Sequence, residues 1–177
     1  YTRTIQVGVS PVIAPWSRIM KHAGDDKSSF RMVVPPVMIY SDICFLDLGR
    51  FGSFGWSVGG EYSRYGYSWM LDNGYGDKQQ DTFCNRFDIA AGLSYHLTLC
   101  RRFELYARAM LDAGLIGEHT TDNESGDKAS STFNKMDTRM TFVATVGLRW
   151  YFCKKAGLWV EGGHDTGYVS AGLSFKF

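Results

Sequence analysis

The sequence predicts an all-β fold, an eight-stranded antiparallel transmembrane β-barrel, on three observations. Segments in which apolar and polar residues alternate recur from end to end, separated by polar or glycine-rich breaks. Successive side chains of a strand point to opposite faces, so each segment is a ribbon with one apolar and one wet face. The charged residues within these segments fall almost wholly on the wet face, among many Gly, Ser and Thr. A charge facing lipid at the bilayer midplane costs about 2–4 kcal/mol, which is reason enough for that segregation. The last segment, Val169-Ser170-Ala171-Gly172-Leu173-Ser174-Phe175-Lys176-Phe177, carries five apolar residues on one face and ends on an aromatic. An aromatic girdle at the membrane boundary calls for such an ending.

The elements follow in order over a single domain, residues 1–177. The first strand is expected from Arg3 to Val12, with Ile5, Val7 and Val9 opposite Thr4, Gln6, Gly8 and Ser10. A polar stretch through Lys21–Ser29 separates it from a second strand, Val34 to Phe45, entered through Pro35-Pro36, since proline belongs at strand starts and edges. The third strand, Ser53 to Trp69, alternates Trp56, Val58, Gly60 and Tyr62 with Ser57, Gly59, Glu61 and Ser63. Asp72 to Asp81 reads as a solvated loop. The fourth strand, Thr82 to Leu97, sets Phe87, Ile89, Ala91, Leu93 and Tyr95 against Arg86, Asp88, Ser94 and His96. A tight turn leads to the fifth, Phe103 to Ile116, and the polar segment Gly117–Asp137 again reads as loop. The sixth strand runs from Thr138 to Phe152, the seventh from Gly157 to Gly163, and a Gly163–Gly167 break returns the chain as the eighth. Eight is an even count, as single-chain bacterial barrels have. Short breaks follow strands two, four and six and long polar ones follow one and three and five, which suits short periplasmic turns and longer outer loops.

The bulk properties exclude several classes. With 19 basic and 18 acidic residues, and no basic stripe interleaved with aromatics, nothing favours nucleic acid. The mean hydropathy is slightly negative, yet alternation cancels in any window average, so this does not count against a membrane barrel. No stretch reaches the ~20 apolar residues of a spanning helix. No charged and then apolar leader opens the chain, so an exported protein is expected here in mature form, its signal peptide removed. The four cysteines, Cys44, Cys84, Cys100 and Cys153, have no CxxC or Cys/His ligand spacing; no metal and no cofactor is expected. Cys100 and Cys153 fall in neighbouring turns where a disulfide is conceivable, but free or buried thiols are favoured for all four.

Val34-Pro35-Pro36, Gly52-Ser53-Phe54-Gly55-Trp56-Ser57-Val58-Gly59-Gly60-Glu61-Tyr62, Phe103-Glu104-Leu105-Tyr106-Ala107, Val146-Gly147-Leu148-Arg149-Trp150-Tyr151-Phe152 and the ending Ser170–Phe177 together resemble the small outer-membrane β-barrel proteins of Bacteroidetes, related in architecture to the OmpA transmembrane domain and the opacity-type proteins. The resemblance covers nearly all of the chain except the outer loops. It implies a cell outer membrane location in a Gram-negative envelope. It also implies that Phe175 and Phe177 serve as an insertion signal for the barrel-assembly machinery.

The expected role is structural or interaction-based: envelope integrity, loop-mediated binding, or an accessory subunit of a larger outer-membrane complex, with outer-membrane lipid or lipopolysaccharide as further partners. The charges expected in the lumen are Asp42, Glu61, Arg86, Asp88, Glu104, Arg108, Asp112, Arg139, Arg149 and Glu161. An eight-stranded barrel is just wide enough for side chains to fill it, so six acids and four arginines read as a plug rather than a pore. The protein is not expected to be an enzyme. The alternative is a lipid-modifying enzyme of the lipid A acylation or deacylation type, with His22 beside Ser28 or Asp25, His119 beside Glu118, or His164 beside Asp165 as candidates; a narrow pore comes next, and a soluble lipocalin-like barrel is the rival outside the membrane. His96 is expected near the periplasmic rim. Loop carboxylates (Asp25, Asp26, Asp72, Asp77, Asp122, Glu124, Asp127) lack EF-hand spacing and read as solvated charge. Tyr65, Tyr67 and Trp69 are expected to extend the barrel above the membrane as a protein-binding surface.

Overall fold

The computed structural model describes residues 3–13, 29–72, 77–123, 133–164 and 167–177. Eight strands form one closed antiparallel ring in sequence order: β1 Arg3–Ile13, β2 Ser29–Asp47, β3 Ser53–Asp72, β4 Asp77–Thr98, β5 Phe103–Asn123, β6 Phe133–Tyr151, β7 Ala156–His164 and β8 Gly167–Lys176. Each strand pairs with its sequence neighbours, and β1 closes on β8 with Thr4 opposite Lys176 and Val7 opposite Leu173. Closure removes the free edges that an open sheet would leave inside a bilayer, where no water satisfies the backbone.

The polarity is inverted relative to a soluble barrel. Phe54, Trp56, Val58 and Tyr62 on β3, Ile89 and Leu93 on β4, and Phe142 and Val146 on β6 all face outward and are exposed, whereas Ser57, Glu61, Asp88, Ser94, Thr145 and Arg149 on the same strands are buried. At ~3.4 Å per residue and a ~40° tilt, the outward run from Phe54 to Tyr62 spans roughly 20 Å before side chains are added, close to the ~25 Å apolar band of an outer-membrane barrel. Next to the short turns the band ends in ring contacts: Phe45 with Trp56 (5.5 Å), Phe54 with Tyr95 (5.0 Å) and Phe103 with Trp150 (6.5 Å). These rings form an aromatic girdle at one membrane boundary. A soluble, lipocalin-like barrel is thereby excluded, because its apolar face would be turned inward.

The strands are unequal. β7 and β8 have 9 and 10 residues, enough to cross a bilayer once, whereas β3, β4 and β5 have 20 to 22. The β6–β7 ladder covers only Ala144–Tyr151 of β6, and the β1–β2 ladder only Val37–Ile43 of β2. A wall of β2–β6 therefore stands above a short side made of β7, β8 and β1. Two expected loops lie largely in this wall. Asp72 pairs with Asp77, and Thr120 with Phe133, so the segments read as loops at 72–81 and 117–137 are mostly strand. Pro35 and Pro36 lie inside β2, not at its start, and the β2–β3 register shifts between Val34 and Val37. A bulge there accommodates two residues that cannot donate to the ladder.

Candidate functional site

The inward faces of the strands converge in the lumen, which is arranged in three layers. At the short-turn end lies an ion-pair network centred on Asp42 of β2. Arg108 of β5 grips it with two donors, Nε to Oδ1 at 3.2 Å and Nη2 to Oδ2 at 3.0 Å. Ser57 of β3 donates to Oδ1 at 2.7 Å, and Arg149 of β6 donates through Nη2 to Oδ2. Each arginine also holds a second acid: Arg108 Nη1 reaches Glu161 of β7 at 2.7 Å, and Arg149 Nη1 reaches Glu104 of β5 at 2.6 Å. Tyr106 donates to Glu161 (2.8 Å) and accepts from Gln6 of β1 (3.1 Å). Lys176 of β8 stands 3.9 Å from Glu104. With His96 of β4, whose Nδ1 is 2.8 Å from Glu104, all eight strands contribute to one network.

Aromatic rings fill the space between these charges. Arg108 lies over Tyr40 (4.9 Å) and Tyr106 (4.7 Å), and Arg149 over Tyr106 (4.1 Å). A guanidinium is planar and weakly hydrated, so it stacks on a ring while its edge donors serve carboxylates, which a lysine could not do. The rings fit because glycine faces them: a Cβ at Gly147 would overlap the Tyr106 ring, and one at Gly59 the Tyr40 ring.

Above this network Met38, Ala90, Met110 and Val143 form an apolar layer, and the same cluster continues down among the charges through Tyr40 and Trp159. Trp159 has no aqueous face; its Nε1 donates to the backbone carbonyls of Leu173 (3.1 Å) and Val7 (3.3 Å), and its ring occupies the place where a Cβ of Gly8 would stand. Beyond the apolar layer lies a second charged group. Arg86 Nε is 2.5 Å from Asp88 Oδ2, and its Nη2 is 3.8 Å from Asp112. Glu61 is buried opposite Asp88 in the β3–β4 ladder, and the half-buried Arg139 donates to Thr141 at 2.7 Å. The ten charges expected in the lumen are thus divided between two groups, with a layer of apolar side chains between them that the charge pattern did not indicate.

A cavity of about 130 Å³ opens below the lower network, lined by Asp42, Asp47, Ser53, His96, Glu104 and Lys176 among others. Here His96 Nε2 is 3.0 Å from Ser94 Oγ while Nδ1 faces Glu104. Ser94, His96 and Glu104 therefore have the spacing of a nucleophile, base and orienting carboxylate, a grouping that sequence reading missed because Glu104 comes from the next strand. Two features argue against acyl transfer. Ser94 is buried and does not line the cavity. Ser94 is also laddered on both sides, to Gly55 and Arg108, so its strand offers no pair of unengaged N–H donors to an oxyanion.

The histidine candidates of the enzyme reading fare differently. His119 and Glu118 are adjacent on β5, so they face opposite sides of the wall, and His119 is exposed. His22, Asp25, Ser28 and Asp165 lie outside the described residues, as do Asp26, Glu124 and Asp127; of the His164, Asp72, Asp77 and Asp122 side chains nothing is described. Among the described residues no cluster of His, Cys, Asp and Glu could hold a metal. All four cysteines are free thiols, Cys100 and Cys153 exposed in adjacent turns, Cys44 at the lower mouth and Cys84 buried.

Tyr65 and Tyr67 are half-buried on the inner face of the tall wall, level with Cys84, rather than forming an outer surface; the Trp69 side chain is outside the described residues. Burial pushes the Cys84 thiol up to about 11, Glu118 adds to the rise and the two tyrosine hydroxyls oppose it. Burial likewise pushes the Tyr65 hydroxyl up to about 12. Phe175 and Phe177 face outward on the closing strand, and the Phe177 backbone pairs with Arg3.

No protein-family model and no curated protein matches the sequence. Among solved structures the chain is similar to Ail, the attachment invasion locus protein of Yersinia pestis, crystallised alone and with the heparin analogue sucrose octasulfate. For the complex, identity is 10%, the TM-score 0.48 and coverage 99% of this chain and 98% of that one; for Ail alone, identity is 10%, the TM-score 0.46 and coverage 99% and 98%. It is also similar to the N-terminal β-barrel domain of Pseudomonas aeruginosa OprF, at 14% identity, a TM-score of 0.35 and coverage of 99% and 96%. The barrel assignment stands on the chain's own ladders and polarity.

Proposed function

We propose that this chain is an integral outer-membrane barrel with a closed lumen, acting in a structural or interaction role: in envelope integrity, in binding through its outer loops and tall wall, or as an accessory subunit of a larger outer-membrane complex. The observation that carries this reading is the pairing of an apolar outer band with a lumen blocked twice, by the Asp42 network and by the Met38–Ala90–Met110–Val143 layer. A solute path would have to break ion pairs that tie strands across the barrel and then pass a layer with no polar route. Outward-facing Phe175 and Phe177 would be presented to the barrel-assembly machinery, and lipopolysaccharide would be the lipid around the outer half. Single-channel recording in planar bilayers tests the reading: the expected result is no discrete conductance from the folded barrel, and reproducible steps would overturn the closed lumen.

A second reading, catalysis, is favoured only by the Ser94–His96–Glu104 spacing. The burial of Ser94 and its laddered surroundings make that relay a structural link between β4 and β5. A fluorophosphonate probe is expected to leave Ser94 unmodified in the folded protein; labelling lost in Ser94→Ala would reverse this assignment.

A further inference from the structure

The short-turn end of the barrel carries a charge pattern that the other described residues do not. Arg3, Arg50, Arg101, Arg102, Lys154 and Lys155 are exposed there and Lys176 is partly exposed, seven of the chain's 19 basic residues, while Asp47 is the one exposed acid at that end among the described residues. That carboxylate is already engaged, accepting from the Gly49 N–H at 2.8 Å. The lumen acids nearest this end, Asp42, Glu104 and Glu161, are buried and held by Arg108 and Arg149.

The cations form a continuous arc. The Arg102 carbonyl accepts from Tyr151 N, the Lys155 carbonyl accepts from Lys176 N, and Arg3 and Phe177 exchange both backbone hydrogen bonds. The β4–β5 turn, the β6–β7 turn and the paired ends of β1 and β8 are thereby drawn together along half of the rim. Interleaved with these cations are exposed apolar side chains: Phe51 at 76%, Leu99 at 58% and Phe177 at 68% exposure, with Phe152 beside Lys154. The arc lies directly beyond the girdle of Trp56, Trp150 and Phe103, the level at which lipid headgroups begin.

We propose that this arc binds the phosphate-bearing headgroups of anionic phospholipids in the leaflet at the short-turn end, and so anchors the barrel at a fixed depth. Charge complementarity and position both point to that occupant. Lysine and arginine beside a membrane are attracted to its anionic lipids, and apolar tips among them insert at the headgroup boundary. A solvated charged face would have no use for a bare Phe51 or Leu99 among its cations. The proposal rests on the transmembrane reading and adds the lipid class that one end selects.

The outward-facing Trp56 and Trp150 near the arc give an internal reporter. The full chain is folded into phosphatidylcholine vesicles in which a fixed fraction of lipid is either brominated phosphatidylglycerol or brominated phosphatidylcholine, and tryptophan quenching is compared. The expected result is stronger quenching by the brominated phosphatidylglycerol. This preference should be largely lost in R101Q/R102Q/K154Q/K155Q and at ~1 M salt, where the screening length falls to about 3 Å. Equal quenching by the two lipids, or a preference that survives the quadruple substitution, would overturn the proposal. Heat-dependent gel migration, read on the same samples, separates this outcome from failure of the barrel reading: a variant that still migrates as a compact barrel has lost lipid selection and not its fold.

Discussion

The two charged groups of the lumen have similar composition and different architecture. In the lower group Asp42 of β2 is held by arginines from β5 and β6, and Arg108 of β5 reaches on to Glu161 of β7, so its bonds cross the barrel. In the upper group Arg86 meets Asp88 two residues along its own strand, and Asp112 on the neighbouring strand stands off at 3.8 Å. Bonds within one strand or between ladder neighbours restrain groups that the backbone already holds together. Bonds across the lumen restrain strands that are otherwise related only through the whole ring. The lower group is therefore a brace of the barrel, whereas the Arg86–Asp88 pair of the upper group is a local one.

The substitution expected to separate the two most is Asp42→Ala. Removing it leaves two buried guanidinium groups short of a counter-charge, a loss of about 3–5 kcal/mol by the usual cost of breaking a buried pair. Urea unfolding in detergent micelles, followed by heat-modifiable migration, should show this as a large fall in midpoint, whereas Asp88→Ala should shift it by less than half as much. An equal effect at both sites would dissolve the distinction.

The next largest effect tests the rings inside the lower group. Gly147→Ala pushes a methyl into the Tyr106 ring and should cost about 1–3 kcal/mol through overpacking. Pairing it with Tyr106→Phe, which removes the hydroxyl between Glu161 and Gln6, should give a double variant whose loss differs from the sum of the two. Additive losses would show that ring position and hydroxyl are independent.

Gly114→Ala probes the upper group in the same way, because its Cβ would meet Asp88 Oδ1. The expected loss, about 1 kcal/mol, is smaller because the Asp88 side chain can give way where a packed ring cannot. A loss matching that of Gly147→Ala would mean that the upper group is as rigid as the lower.

The smallest effect concerns reactivity rather than stability. The thiolate is the reacting form of cysteine, and burial raises the Cys84 thiol to about 11, so little thiolate exists at neutral pH. Maleimide at pH 7.5 should label the exposed Cys100 and Cys153 readily and Cys84 hardly at all, with Cys84 labelling rising as pH approaches 11. Mass spectrometry of the labelled peptides checks this. Fast labelling of Cys84 at pH 7.5 would show the tall wall opening above the plug.

The strand order and the inverted polarity were legible in the alternation, because the bilayer imposes one chemistry on each face and a period of two records it. The signal vanished where the constraint did. Above the membrane both faces of the wall meet polar surroundings, so 72–81 and 117–137 lost their alternation and read as loops although most of their residues are paired. Pro35-Pro36 marked an irregularity correctly but not its position, since a bulge inside β2 serves as well as a strand start.

By itself, the sequence determined which residues stand on which face of each strand, since alternation is a local property of an extended chain. Only the tertiary structure decided which of the inward residues touch. Asp42 and Arg149 are 107 residues apart, and their meeting depends on the stagger of the five strands from β2 to β6. The same stagger gathers Met38, Ala90, Met110 and Val143 into one layer, which divides the charges into two groups. Glu104 comes beside His96 by a shorter route, the register of the single β4–β5 hairpin. Height along the barrel axis is a sum of registers and tilts over all strands, and no single stretch of the chain records it.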